Sequence, residues 1–239
     1  MRLLFFSFMV SVTILLVFSG CAPRAEIKVF PNGNASMKIK IIPGKTTEEV
    51  LVRFAQMSDT QENKDSIFDI PDIKENLVKQ GFTVRALEKK SFAGLEADIG
   101  ARWNQSLIKS VLNTKKGTID FHLAPEDLKE IHALLPDESK EYADLLMAPV
   151  FTGEELSVDE YKAVVFSAYG EKIAKELTQS SFDFTIRCPG KVQTASIEPV
   201  GKVTYQKNAD TVKAVVPLVD ILTLKEKVNV HIEYKPSSN

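Results

Sequence analysis

Cys21 is the residue whose surroundings specify its chemistry most narrowly. It follows one cation, Arg2, and an apolar run from Leu3 to Phe18 broken only by Ser7, Ser11 and Thr13. Ser19 and Gly20 then precede the thiol. Small side chains before a scissile bond are what a signal peptidase requires, and a cysteine placed there can be alkylated by a diacylglycerol before the cut. The run is shorter than the ~20 residues that span a bilayer comfortably, so a permanent transmembrane helix is not expected. Pro23 hinders ordinary signal-peptidase cleavage just after Cys21.

Other chemistry-bearing patterns are weaker. Ser106-Leu107-Ile108-Lys109 sets a hydroxyl and an amine one turn apart on an expected helix, where Lys109 could act as base to Ser106. The Lys-Thr-Gly element that accompanies such a pair does not follow it. His122, His132 and His231 have no metal-ligand spacing, and there is no His-Glu-x-x-His, Cys-x-x-Cys, calcium loop or phosphate-cradling glycine loop. No cofactor and no metal are therefore expected. The pairs Glu48-Glu49, Glu126-Asp127, Glu154-Glu155 and Asp159-Glu160 stand at expected helix starts. There, negative charge complements the helix dipole. Cys188 is the one thiol left once Cys21 is acylated, so no internal disulfide can form, and a buried, inert side chain is expected.

The elements that must position these residues follow from periodicity. Glu26 to Phe30 alternates, Pro31-Asn32-Gly33-Asn34 interrupts, and Ala35 to Ile42 alternates again. Asn-Gly between two such runs predicts a hairpin. Thr46 with Glu49, and Ser157 with Glu160, predict capping boxes opening helices. A shorter helix is expected from Pro71 to Lys79, others at 104–112, from Pro125 and at 137–149, and a longer one through Leu177 that Gly170 divides. Strands are expected at Phe82–Ala86, Leu95–Ile99, Thr118–Leu123, Phe182–Cys188, Lys202–Gln206, Thr211–Val216 and Glu226–Tyr234. Strands with one polar face, then helices, then strands predict an α+β fold, an antiparallel sheet with helices packed on one face.

The expected organisation is a removable leader at 1–20, a lipidated cysteine and short tether at 21–25, a single α+β ectodomain at 26–235 and a loose tail at 236–239. The whole chain carries a formal charge of −2, and loss of Arg2 takes it to −3. With Lys and Glu interspersed there is no basic patch, which excludes a nucleic-acid partner. A tether from Ala22 to Ala25 reaches about 14 Å at most. It should hold the domain against the headgroups, with Arg24 and Lys28 near them and Lys40 and Lys45 at the same end. Trp103, Phe92, Tyr161, Phe166 and Tyr169 are candidates to line an apolar cleft between sheet and helices.

Leu15 to Cys21 resembles the lipobox of bacterial lipoproteins, departing from it at Phe18, where an aliphatic residue is usual. The resemblance implies a diacylglyceryl and acyl chain, palmitate among them, on Cys21. With Ala22 and not Asp after the cysteine, it also favours an outer membrane where the cell has one. The ectodomain is similar at its two ends to the mycobacterial LppM-type lipoprotein family. The similarity rests on Ile27–Ile42 around Asn32-Gly33, on Phe184-Thr185-Ile186-Arg187-Cys188-Pro189-Gly190-Lys191-Val192, and on Lys207-Asn208-Ala209-Asp210 before a further strand. Lys213-Ala214 stands where family members often carry a tryptophan, and residues 46–178 show no correspondence. That resemblance implies an α+β envelope domain without known catalysis, binding membrane glycolipid in a hydrophobic cleft.

The expected function is thus a non-enzymatic, membrane-anchored envelope lipoprotein that binds a lipid, other amphiphile or envelope component. A protein-interaction module such as an assembly factor or surface adhesin is the alternative, and a serine hydrolase using Ser106 and Lys109 the third reading. Intact mass spectrometry checks the anchor. The mature chain should begin at Cys21 and carry two or three fatty chains, and Cys21→Ser should leave residues 1–20 attached. A soluble, unacylated native chain would refute it.

Overall fold

The computed structural model describes residues 23–57, 65–102, 111–133, 135, 140–141, 144, 149–150 and 152–236. Alternation at the chain start produces β1 (Arg24–Val29) and β2 (Ala35–Ile41), paired antiparallel with Arg24 opposite Lys40 and Val29 opposite Ala35. Gly33 closes the turn at φ 81°, a left-handed conformation in which a side chain is strained. The turn is locked from both sides: Gly33 N–H donates to Phe30 O and Phe30 N–H to Asn34 O, both at 2.9 Å.

β3 (Thr83–Lys89) and β4 (Leu95–Ala101) extend this sheet beyond β2. On the other side, β1 pairs in parallel with β7 (Ser181–Arg187), which pairs antiparallel with β10 (Thr211–Pro217) and then β9 (Lys202–Tyr205). The order is β3-β4-β2-β1-β7-β10-β9. A second sheet holds β5 (Leu112–Lys115), β6 (Thr118–Leu123), β11 (Val228–Pro236) and β8 (Gly190–Glu198), in that order and antiparallel throughout.

The two sheets face one another across a shared core. Ile27, Ile186, Val212 and Val216 from the first meet Ile119, Val192, Val230 and Ile232 from the second, nearly all fully buried. Phe121 and Phe184 touch across the gap with ring centroids 5.2 Å apart. Each such side chain removed from water contributes about 1.5–3 kcal/mol. The α+β composition and mostly antiparallel pairing are those expected, but what covers the inner face differs. Helices were expected there; the four-stranded sheet occupies it, because β8 and β11 also present an apolar face that must be buried.

Three helices cluster together at the end where the chain enters β1. α4 (Val158–Tyr169) and α5 (Glu171–Gln179) meet at Gly170, whose φ of 86° ends the first helix. Ser157 and Glu160 form the expected capping box, with Glu160 N–H donating to Ser157 Oγ at 3.2 Å and Ser157 N–H to Glu160 Oε2 at 2.7 Å. Tyr161 and Val165 pack on Ile173 and Leu177 and on Leu218 and Leu222 of a short helix, α6 (Leu218–Leu222). α2 (Ile70–Lys79) lies beside β3, and α3 (Pro125–Ala133) follows β6. In α3, Asp127 accepts from Ala124 N–H at 2.8 Å. Helices expected at 104–112 and 137–149 fall mostly outside the described residues, and Leu112 opens a strand. Among the described residues no helix is long and apolar enough to cross a membrane.

α1 (Lys45–Met57) is held differently from the expected Thr46–Glu49 box. Its first N–H groups are satisfied by Glu176, on α5: Thr46 N–H donates to Oε2 at 3.2 Å, Thr47 N–H to Oε1 at 3.1 Å, and Thr47 Oγ1 to Oε1 at 2.6 Å. Gly44 makes room for that carboxylate, since a Cβ at position 44 would collide with it. Glu176→Ala should therefore cost about 1–2 kcal/mol in urea unfolding, the usual worth of a helix cap. Gly44→Ala should cost about 1–3 kcal/mol as overpacking, and much less in the Glu176→Ala background. Equal costs in the two backgrounds would refute the contact.

Candidate functional site

Where the two sheets part, at the tip of the β1–β2 turn, they leave an open cleft of about 470 Å³. Val29, Phe30 and Pro31 form one wall and Pro189, Tyr234 and Pro236 the other, while Lys115 and Lys116 stand at the β5–β6 turn. Among the described residues no acidic side chain lines it. Volumes of ~300–1,000 Å³ with apolar walls and a few polar groups are typical of small-ligand sites. Lys28 lies over the Phe30 ring, 5.2 Å from its centroid, adding a third cation beside the wall.

Local structure fixes each of these groups. Val29 is 3% exposed and belongs to the core, so the cleft floor is continuous with the packed interior. Gly117, at φ 90°, turns the chain after Lys116, and its carbonyl accepts from Tyr234 N–H at 2.8 Å. Asn32 Oδ1 accepts from Asn34 N–H at 3.1 Å, tightening the opposite turn. Cys188, beside Pro189, is buried, and burial with the Asp210 charge pushes its thiol up to about 12. It is the inert residue expected.

On its other flank the same turn borders a second hollow of about 580 Å³, which includes Arg85, Thr83 and Arg102. Arg85 is committed to Asp98, Nε to Oδ1 at 2.7 Å, and to the Ile99 carbonyl at 3.1 Å. A third hollow, about 530 Å³, opens on the outer face of the seven-stranded sheet among Arg24, Glu26, Lys38, Lys40, Asp183 and Lys213. Its charges alternate in sign, and Lys40 with Glu96 and Lys38 with Asp98 each approach to 3.8 Å. The inter-sheet cleft joins apolar walls to lysines only; the hollow on the other flank also carries charge of one sign, but its Arg85 is held by Asp98 and the Ile99 carbonyl.

The aromatic residues expected to share a cleft between sheet and helices do not converge. Tyr161 is 3% exposed inside the helical cluster, where burial raises its phenol pKa. Phe166 is 55% exposed on the same helix, because five residues turn a side chain about 140° away. Tyr169 meets Phe54 edge-on at 6.1 Å, and Phe54 and Phe92 both pack on the small cluster of Leu51, Ala55 and Ala93. Trp103, Cys21, Ser106 and Lys109 lie outside the described residues.

Position matters as much as lining. The cleft stands at the end of β1 opposite Pro23, six strand residues or about 20 Å away. This cleft lies on the far side of the domain from the chain entry at Pro23, and Lys28, opposite Ser36 on β2, lies toward it. Lys40, opposite Arg24, does lie at the near end.

Sequence reasoning missed the cleft because its walls come from four segments distant in the chain. Pro189 and Pro236 look like turn residues, and Tyr234 reads as the outer end of a strand. On the outer face of the second sheet, His231 Nδ1 lies 2.6 Å from Asp120 Oδ1, with Ser196 opposite His231 on β8. No hydrogen bond joins His231 to Ser196, so the row shows no activated hydroxyl. Burial, with Lys227 nearby, lowers the pKa of His122 on the same face. Among the described residues no cluster of His, Cys, Asp and Glu could hold a metal ion.

No protein-family model and no curated protein sequence matches this chain. Among solved structures, the NMR structure of the folded domain of Mycobacterium tuberculosis LppM is similar, at 7% identity over 91% of each chain with a TM-score of 0.39. That superposition is too loose for any residue or role to be transferred. Cys188 offers a direct check on the packing beneath the cleft: a maleimide should leave it unmodified in the folded protein and modify it fully in denaturant. Labelling at native speed would mean that the cleft floor is open.

Proposed function

We propose that this chain is a membrane-anchored envelope lipoprotein, non-enzymatic, whose inter-sheet cleft binds an anionic lipid, glycolipid or other amphiphile. The supporting observation is the pairing of apolar walls with Lys115 and Lys116 and no carboxylate. An acyl or isoprenoid segment would lie along Phe30, Pro31 and Tyr234, gaining about 25 cal/mol for each Å² of apolar surface removed from water. A phosphate or carboxylate would meet the two lysines at the rim. These sit on a hairpin turn, where they can adjust to headgroups of different shape.

The anchor and the cleft serve different ends of the molecule in this reading. Acyl chains on Cys21 hold it by burial of many methylenes, each worth about 0.8 kcal/mol. The cleft then opens roughly 20 Å from that attachment, toward the aqueous side. The ligand is accordingly one that reaches the protein from the aqueous phase or from a facing surface, not a neighbour in the same leaflet.

Organic extraction of the purified mature chain followed by mass spectrometry should recover an amphiphile. A fluorescent anionic amphiphile titrated into the delipidated protein should bind, and Lys115→Glu with Lys116→Glu should weaken binding about tenfold, since each exposed ion pair is worth up to ~1 kcal/mol. Tyr234→Ala should weaken anionic and neutral amphiphiles alike. An empty extract together with no binding of either probe would end this proposal, and co-purification of a stoichiometric protein in its place would favour the interaction-module reading.

A further inference from the structure

The solvent-facing side of α4 begins charged, with Asp159, Glu160 and Lys162, and is apolar beyond them. From Ala163 to Ala168 it carries no charge, and Ala163, Val164, Phe166 and Ala168 are all exposed, Val164 at 52% and Phe166 at 55%. The opposite side of the same helix is already used, with Tyr161 and Val165 buried against α5 and α6. An exposed apolar patch of this kind marks a contact with a partner or a second apolar phase.

Its place in the fold says which. α5 runs into β7 through Ser180, whose carbonyl accepts from Leu218 N–H at 2.9 Å at the start of α6. At the same end Asp183 N–H donates to Pro23 O at 2.9 Å. The helical cluster and the chain entry therefore share one end of the seven-stranded sheet. Cys21 precedes Pro23 by two residues, a reach of about 7 Å. Ile42, 43% exposed, follows β2 at this end too, and Lys45, with its side chain 91% exposed, begins α1 beside it.

We propose that the outward face of α4, Val164 and Phe166 foremost, lies in the interfacial layer of the membrane to which Cys21 is attached. It forms a second contact that fixes how the domain stands on the bilayer. The anchor alone is a swivel; a helix face in the interface beside it sets an orientation, and so points the distal cleft into the aqueous phase. This rests on the lipoprotein reading of Cys21. It goes beyond that reading in assigning a lipid contact to residues remote from the cysteine. Helices that lie on a bilayer make such contacts by shallow burial of an apolar side in the headgroup layer.

The test uses the full mature chain reconstituted in vesicles of phosphatidylethanolamine and phosphatidylglycerol. Buried Cys188 is inert, so Phe166→Cys can be labelled selectively with an environment-sensitive maleimide dye, with Ala168→Cys as a second position. Lys207→Cys, exposed at the distal end between β9 and β10, serves as reference. Lipids carrying a nitroxide near the headgroup should quench dyes at 166 and 168 about threefold more than at 207, as expected for side chains buried in the headgroup layer. Equal quenching at the three positions overturns the contact. Intact mass of the same samples reports acylation of Cys21 separately. An acylated chain with unquenched dyes defeats this inference and leaves the anchor, whereas an unacylated chain defeats the anchor while the quenching still decides the contact.

Discussion

The parallel pairing of β1 with β7 is the constraint on which the rest of the architecture depends. It joins the first described strand to one that begins only at Ser181, setting Ile27 beside Ile186 in the centre of a seven-stranded sheet. Every other strand neighbour is antiparallel, and without this one pair the sheet would separate into a β3-β4-β2-β1 half and a β7-β10-β9 half. Both halves would then expose an edge and a row of apolar side chains. A contact so distant in sequence repays its loop-closure entropy only once the inner faces are also covered. That covering is the second sheet.

The same pairing gives the molecule two unlike ends. Because β1 and β7 run in the same direction, the segments that precede them, Pro23 and α5, emerge together. The segments that follow them, the Phe30–Asn34 turn and Cys188-Pro189, also emerge together at the opposite end. The near end is closed by helices packed on α6. The far end cannot close in this way, since hairpin turns and prolines meet there, and Pro189 and Pro236 lack the N–H needed to carry a ladder further. A cleft walled by proline, phenylalanine and tyrosine is what remains. The proposed division of labour, lipid attachment at one end and ligand at the other, follows the strand direction.

Glu176 shows how closely the helical end is fitted. A carboxylate from α5 caps α1 across some 130 residues of chain, and Gly44 provides the space. The motif at Thr46–Glu49 looked sufficient by itself, yet the cap came from a side chain that no local pattern could nominate. Ser157–Glu160 closed as its spacing required, because both partners sit within one turn of the same helix and nothing from elsewhere competes for that N–H.

What the sequence determined alone is what depends on neighbours within a few residues. The Asn32-Gly33 hairpin, the break at Gly170, the helix from Pro125 and the alternation of Thr118–Leu123 and Val228–Tyr234 all follow from backbone preferences and side-chain period. The α+β class follows from their order, and the burial of Cys188 from the alternation of its strand. The tertiary structure decided which apolar face meets which. Alternation says that a strand has a dry side but not whether a helix or a sheet will cover it, so one sheet under helices is expected where two sheets pack face to face. Nor could aromatic content locate a cleft: Tyr161 and Phe166 looked equivalent in composition, and only helix geometry and the position of α6 buried one and exposed the other. The inter-sheet cleft was invisible for the same reason, being made by four chain segments that meet only after β1 has found β7.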